Sequence, residues 1–405
     1  MKHSLLLLSG ASLAALLPAA AAPALTWATQ QLTSEFHAEG AAVGDFNKDG
    51  VKDVAYGPFW FAGPSFKDSH LIYPSAKFEP RGYSKNFVTY GPDLNADGWD
   101  DVLVLGFPGD ESYWFENPKG APGEWKKHVA IKVTDNESPT WTDLTGDGKP
   151  EIVCSEGGYF GYASPGPDPT QLWAFVPVST KAAGERFTHG LGVGDVNGDG
   201  KMDLLEKNGW WEQPADPRTQ PVWTQHLVPF SPQAGGAHMF AYDFDGDGDN
   251  DVLTSLAAHS YGLAWFEQSK GPDGKPAFTQ HDIMPADPKA PSKGPVFSML
   301  HALDLADING DGIKDIVTGK RYWAHAPQPD GSGGDPGVND PAVIYWYEVK
   351  RSGQSGAAQF VPHQIHADSG VGTQVMIAEM DGQAPPEVVV GNKKGAFVHH
   401  ATAAK

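Results

Sequence analysis

One nine-residue pattern, D-x-[DNT]-x-D-G-x-x-[DE], occurs six times in the 405 residues. It runs from Asp45 to Asp53, Asp93 to Asp101, Asp143 to Glu151, Asp195 to Asp203, Asp243 to Asp251 and Asp307 to Asp315. A degenerate seventh copy starts at Glu379 and ends at Glu387. Successive starts are 48 to 72 residues apart, too long for one coil of a solenoid and right for a four-stranded propeller blade. A unit of this size cannot bury its own apolar face, so the copies must pack on one another. The pattern predicts an all-β chain, a seven-bladed β-propeller.

The frame around each copy supports four strands per unit. A short apolar segment precedes the loop (Ala42-Val43-Gly44, Gly192-Val193-Gly194) and a β-branched run follows it (Val102-Leu103-Val104, Ile316-Val317), which reads as strand, loop, strand. A third, aromatic segment often closes in Glu, as at Glu116, Glu212, Glu267 and Glu348, and a fourth ends in His128, His226, His281 or His363. Repetition at a fixed place marks these histidines as packing residues. The segment Trp27 to Leu32 looks like a fourth strand ahead of the first loop, so the N-terminus is expected to complete the last blade and hide the sheet edges. The repeat resembles the FG-GAP or VCBS repeat of integrin-α-type propellers, over about residues 25 to 400, read as a single domain.

Oxygen-bearing residues at loop positions 1, 3, 5 and 9, with Gly at 6, are what a hard cation needs. Calcium is therefore expected at Asp45, Asn47, Asp49 and Asp53; Asp93, Asn95, Asp97 and Asp101; Asp195, Asn197, Asp199 and Asp203; Asp243, Asp245, Asp247 and Asp251; and Asp307, Asn309, Asp311 and Asp315. The set Asp143, Thr145, Asp147 and Glu151 departs at two positions. The competing reading is an Asx-turn whose side chains take backbone N–H groups. Several structural calcium ions would suit a chain whose one cysteine, Cys154, allows no internal disulfide.

Lys2 and His3, the apolar run Leu5 to Leu17 and the small residues Ala19 to Ala22 read as a signal peptide over residues 1–22. The mature protein is expected to be secreted or periplasmic, without membrane insertion. With Lys+Arg 29 against Asp+Glu 50, the formal charge is −21, which argues against a nucleic-acid partner. A carbohydrate or small-molecule ligand is expected, and a protein partner remains an open alternative.

The calcium loop joins strands one and two at one face, so the start of strand one and the loop after strand two share the opposite face. Residues five to eight positions before each loop then crowd the axis: Glu39, Asn86, Glu137, His189, His238, His301 and Gln374. Imidazoles and carboxylates in this number suit a divalent metal or proton transfer, although polar residues also line wet channels. The strand two to three loops add His259, Tyr261, Arg321, Tyr322 and His325, with Trp60 and Trp210 as further aromatic surfaces for a sugar ring. For any single aromatic, blade packing is the competing reading.

The stretches around His189 (His-Gly-Leu-Gly), His238 (Ala-His-Met-Phe), His259 (Ala-Ala-His-Ser-Tyr-Gly-Leu) and His301 (Leu-His-Ala-Leu) resemble the propeller domain of aldos-2-ulose dehydratase and its bacterial relatives. That resemblance implies a carbon–oxygen lyase: metal-assisted dehydration of a keto or anhydro sugar, with one catalytic divalent metal. His189, His238, His301 and His259 would serve as ligands or base, and Glu39 and Glu137 as acid or ligands. The relatives carry cupin domains that this sequence does not show after its repeats. The alternative is a non-catalytic propeller that binds glycan or protein through the same face.

Overall fold

The computed structural model describes residues 24–184, 186–220, 222–231, 235–351 and 357–403. The proposed signal peptide lies outside them. The described residues form an all-β propeller without helices, and none of their segments is a helix long and apolar enough to cross a membrane.

Five four-stranded sheets and one eight-stranded sheet make up the fold. Four of the five are meanders in chain order; the fifth takes Leu25–Thr33 onto the outer edge of Gly395–Ala403, from Leu25 opposite Ala403 to Gln31 opposite Phe397. Chain closure by the N-terminal strand, expected from Trp27 to Leu32, is therefore present. The eight-stranded sheet consists of two meanders joined where Leu191–Gly194 pairs in parallel with His238–Tyr242, Leu191 opposite His238. The innermost strands are neighbours around the axis: Ala42–Gly44 lies beside Asn86–Tyr90 and Val375–Ala378, and Leu303–Ala306 beside His238–Tyr242 and Val375–Ala378.

Second strands such as Asp53–Tyr56 and Val102–Gly106 are buried along their whole length, because each sheet packs on the next through both faces. The core is accordingly a series of layers between sheets. In one, Val88, Leu103 and Trp114 meet Ile152, Cys154 and Trp173.

The outer strands share one device. His128, His226, His281 and His363 stack on Trp114, Trp210, Trp265 and Trp346, with centroids 4.1 to 4.8 Å apart. Each ring also reaches the Glu that closes strand three, at 2.7 to 3.0 Å. His70 stacks on Trp60 in the same way at 4.1 Å. Trp60 and Trp210 thus belong to this strand three to four packing and do not reach the axial face, which corrects their assignment as sugar platforms.

The repeated loops owe their shape to Gly at position 6, which is left-handed in all six copies (φ from 84° to 99°). The acid at position 9 is a backbone clamp. Asp101 accepts from Leu94 N at 3.0 Å and from Asn117 N at 2.8 Å, and Asp53, Asp203, Asp251 and Asp315 repeat the arrangement. Burial pushes the Asp101 carboxyl up to about 7 against the pull of those two N–H groups. Asp101→Ala leaves a buried amide at Asn117 and a half-buried one at Leu94 without their acceptor, and an expected loss of about 3 kcal/mol in urea unfolding follows from two such bonds. A loss under about 1 kcal/mol would show that the clamp is dispensable.

Candidate functional site at the propeller axis

Short backbone bonds between the segments that enter the innermost strands assemble the site. Glu137 N donates to Thr188 O at 2.9 Å, which sets Glu137 beside His189. Met299, left-handed at φ 59°, is a node: its N–H donates to Ser260 O (2.7 Å), and its carbonyl accepts from His301 N (3.0 Å) and Arg321 N (2.9 Å). A non-glycine residue held in that region is a local strain maintained by its surroundings. Gly235 accepts from Ala258 N at 2.9 Å, and a Cβ at Gly235 would fall 2.3 Å from the His189 carbonyl oxygen. The space kept free by this glycine lets the following loop bring His259 against His189.

The result is a cluster of three buried residues and the half-buried His259. One ligand atom each from Glu137, His189, His259 and His301 lies within 4.8 Å of all the others. His189 Nε2 is 3.0 Å from His259 Nε2 and 3.5 Å from Glu137 Oε2, and His301 Nδ1 is 3.9 Å from Glu137 Oε2. Arg321, buried below them, donates to Glu39 Oε2 at 3.0 Å and sits 3.5 Å from Glu137 Oε2 and 3.3 Å from the His301 ring nitrogens. Burial would push the Glu137 carboxyl up, but His189, Arg321 and His259 hold it below the ordinary carboxylate range. Burial, then the Arg321 guanidinium, keep the His301 imidazole well below its ordinary value. Burial also lowers His259, against the pull of Asp335. Near neutral pH the cluster therefore presents an ionised Glu137 carboxylate and neutral His259 and His301 imidazoles with lone pairs to share.

Asp335 comes from the long segment between Gly319 and Ile344. Its Oδ2 lies 3.4 Å from His259 Nδ1 and accepts from His325 N at 2.6 Å, and its Oδ1 lies 2.9 Å from His325 Nδ1. Despite burial, these contacts lower the Asp335 carboxyl to about 2. A carboxylate on the outer nitrogen fixes a histidine's tautomer and turns its other nitrogen to the site. Above the cluster opens a cavity of about 340 Å³, with Glu137, His189, His259, Arg321 and His325 at its polar side and Tyr83, Phe87, Phe107 and Phe187 as walls. That volume is at the lower end for small-molecule sites, about 300–1,000 Å³. A larger groove of about 920 Å³ around Trp60 and Pro118 to Trp125 gathers no comparable set of donors.

Several expected site residues stand elsewhere. His238 does not join the cluster: the register places it level with Leu191, two residues past His189. There it reaches Pro139 O at 3.3 Å and lines a separate space of about 90 Å³ with Thr140 and Thr142. Asn86 and Gln374 are committed to Thr89, through its hydroxyl (2.6 Å) and its backbone N–H (2.9 Å) and C=O (2.8 Å). Tyr322 stacks on Trp323 in a neighbouring groove, and the Tyr261 hydroxyl lies against Gly337. Neither lines the cavity.

Lys393 is a participant the sequence reading passed over. Its fully buried amine lies 3.8 Å from Glu39 Oε1 and 4.2 Å from the centre of the Tyr83 ring, and neither it nor Glu39 Oε1 has a hydrogen-bond partner. Burial, opposed by Glu39, lowers the amine from 10.5 to about 8. Between those values the unfolded chain binds a proton that the folded chain does not, so this group adds stability as pH rises from 8. Wild type is expected to gain about 2 kcal/mol relative to Lys393→Met between about pH 7.5 and about pH 9.5 in urea unfolding. Parallel pH profiles would refute the shifted amine.

The loop acids divide into two groups. In the first, second, third, fourth and sixth copies the position 1 carboxylate accepts from the N–H groups of positions 5 and 6, as at Asp45 from Asp49 (3.1 Å) and Gly50 (2.9 Å). In the fifth, oxygens of Asp243, Asp245 and Asp251 lie within 4.8 Å of one another, and the buried Asp245 Oδ2 has no partner. In the third, Asp143, Asp147 and Glu151 also converge, but the Arg218 guanidinium pairs with Asp147.

Residues 93–154 match the FG-GAP-like repeat family, a stretch that runs from the second loop through the third. No curated protein matches. Among solved structures, an Agrocybe aegerita lectin described as recognising non-reducing terminal N-acetylglucosamine is 17% identical (TM-score 0.46, 79% of each chain). The exotype rhamnogalacturonan lyase YesX is 13% identical (TM-score 0.44, 92% of this chain and 72% of that one). A putative 6-phosphogluconolactonase from Bacteroides fragilis is 14% identical (TM-score 0.41, 82% of each chain). At such identities and scores these likenesses assign no activity to this chain.

Proposed function

We propose that the protein is an exported, single-domain propeller whose axial cavity performs metal-assisted elimination of water from a keto or anhydro sugar. The convergence of Glu137, His189, His259 and His301 beneath an aromatic-walled cavity carries this reading. An ion about 2.1 Å from four tetrahedral donors sets them about 3.4 Å apart, and the separations of 3.0, 3.5 and 3.9 Å bracket that value. The donor set, three imidazoles and a carboxylate, suits zinc or a similar divalent ion, which when bound supplies polarisation of a carbonyl oxygen.

The chain's own groups do the rest. His325 lines the cavity with Nδ1 on Asp335, so its Nε2 is the proton acceptor for the C–H next to the carbonyl. The C–O bond to the neighbouring hydroxyl breaks, the electron pair of the C–H bond becomes the new double bond, and His325 returns its proton to the departing hydroxyl, which leaves as water. Phe107 and Phe187 offer faces to the C–H side of a sugar ring. In this reading each half of the eight-stranded sheet counts as one blade of a seven-bladed ring, and the fifth loop, with its unpartnered Asp245 oxygen, is the best-suited calcium site.

The test combines elemental analysis of the purified protein with an assay for the conjugated product from keto and anhydro sugars. One equivalent of transition metal plus turnover supports the reading. Sugar binding with no turnover and no axial metal would favour the non-catalytic alternative, in which the same cavity only holds a glycan.

A further inference from the structure

Every aromatic wall of the cavity carries a cation. Lys393 Nζ is 4.2 Å from the Tyr83 ring centre, and the Arg321 guanidinium is 5.3 Å from that of Phe87. Lys85 Nζ and the Arg186 guanidinium are 5.8 and 6.0 Å from that of Phe107, and Arg186 is 4.9 Å from that of Phe187. Four cations around one small cavity stand out in a chain with a formal charge of −21. Three already face carboxylates: Arg321 faces Glu39 and Glu137, Lys393 faces Glu39, and Lys85 holds Asp110 at 2.6 Å.

Arg186 differs. Among the described residues its contacts are the Pro108 carbonyl, reached by Nε at 2.9 Å and also by Nη2, and the two phenylalanine rings. Gly109, at φ 87°, makes room for it, since a Cβ there would lie 2.3 Å from Nε. The exposed guanidinium is thus held by backbone and rings against two walls of the cavity, Phe107 and Phe187, with no carboxylate against it among the described residues. A planar fork held in this way recognises a carboxylate through paired charge-assisted hydrogen bonds.

Resting on the sugar-site reading above, we infer that the cavity takes an acidic sugar, with its carboxylate on Arg186 and its ring against Phe107 and Phe187. The inference concerns recognition alone, so its test needs no turnover. Methyl α-D-glucuronoside and methyl α-D-galacturonoside, as sodium salts, and the neutral methyl α-D-glucoside and α-D-galactoside are titrated into wild type, Arg186→Gln and Arg186→Lys by calorimetry and NMR. At least one uronoside is expected to bind about tenfold or more tighter than its neutral partner, an advantage that Arg186→Gln removes and Arg186→Lys partly restores. The advantage should also shrink as salt rises. Equal binding of uronoside and neutral glycoside in both pairs, or a preferred uronoside whose affinity is unmoved in Arg186→Gln, overturns the inference and leaves the sugar site standing. Absence of binding by all four glycosides overturns both.

Discussion

Arg321→Met is expected to unfold at markedly lower urea concentration than wild type, with a stability loss of about 3–5 kcal/mol. The guanidinium is 1% exposed and lies 3.0 Å from Glu39 and 3.5 Å from Glu137, which are 0% and 9% exposed. Burial alone would lower its pKa, yet the two carboxylates raise it. Its removal leaves two carboxylates inside the protein, Glu39 facing the Lys393 amine at 3.8 Å and Glu137 facing the His189 ring at 3.5 Å. Desolvated charges without a counter-charge are costly, far more so than the net value of the pair itself. The same reasoning fixes a control. Glu39→Gln combined with Arg321→Met should recover about 1 kcal/mol or more relative to additive losses, because the second change removes a charge that the first stranded. An Arg321→Met protein within about 0.5 kcal/mol of wild type would mean that water reaches the cluster and screens it.

Much of this arrangement was legible in the residues, for reasons of topology. A repeat that fixes a loop at one face also fixes what lies at the other, so counting back from Asp143, Asp195 and Asp307 leads to Glu137, His189 and His301. Counting back over a range of positions failed at His238, which stands five residues before Asp243 where the other three stand six before their loops, and the parallel pairing sets it level with Leu191 and not with His189. The gap is filled by His259, whose approach depends on the missing side chain of Gly235. Contacts of that kind are set by tertiary packing.

The aromatic walls were misplaced for a different reason. Trp60 and Trp210 were conspicuous, but their recurrence beside a fourth-strand histidine marks packing, as their stacks with His70 and His226 bear out. The walls come instead from Tyr83, Phe87, Phe107 and Phe187. Phe107 directly follows the second strand Val102–Gly106, and Lys393 follows Glu387–Asn392, the same place in the unit that supplies His259 and Arg321. The rule that found two of these residues contains the other two. Asp335 has no such rule: it lies in a segment without a counterpart in the other units, and only the fold brings it to His259 and His325. Position 9 of the loops likewise satisfied a ligand pattern while its oxygens serve backbone amides, a choice that residue types alone leave open.

His259→Ala is the substitution expected to act most strongly on the axial chemistry, while His238→Ala is expected to leave it intact. His259 contributes Nε2 to the four-donor cluster and Nδ1 to Asp335, so its removal deletes one ligand and releases the segment that carries His325. Losing one of four donors should lower affinity for an added divalent ion by at least about a hundredfold, and Asp335→Asn, which keeps the ligand and loses its anchor, by about 10- to 100-fold. Turnover of a keto or anhydro sugar should fall with metal content in both variants. In His325→Gln, by contrast, metal content should stay at one equivalent while turnover falls by about 10²- to 10⁴-fold, the usual contribution of a positioned base. That separation between an ion-binding defect and a proton-transfer defect distinguishes the assigned roles, because a general disturbance of the cavity would move both readouts together. His238, in its own space beside Pro139, provides the internal standard. If His259→Ala and His238→Ala retain the same metal content and the same turnover, the four-donor cluster is a packing feature of the axis and the elimination reading falls with it.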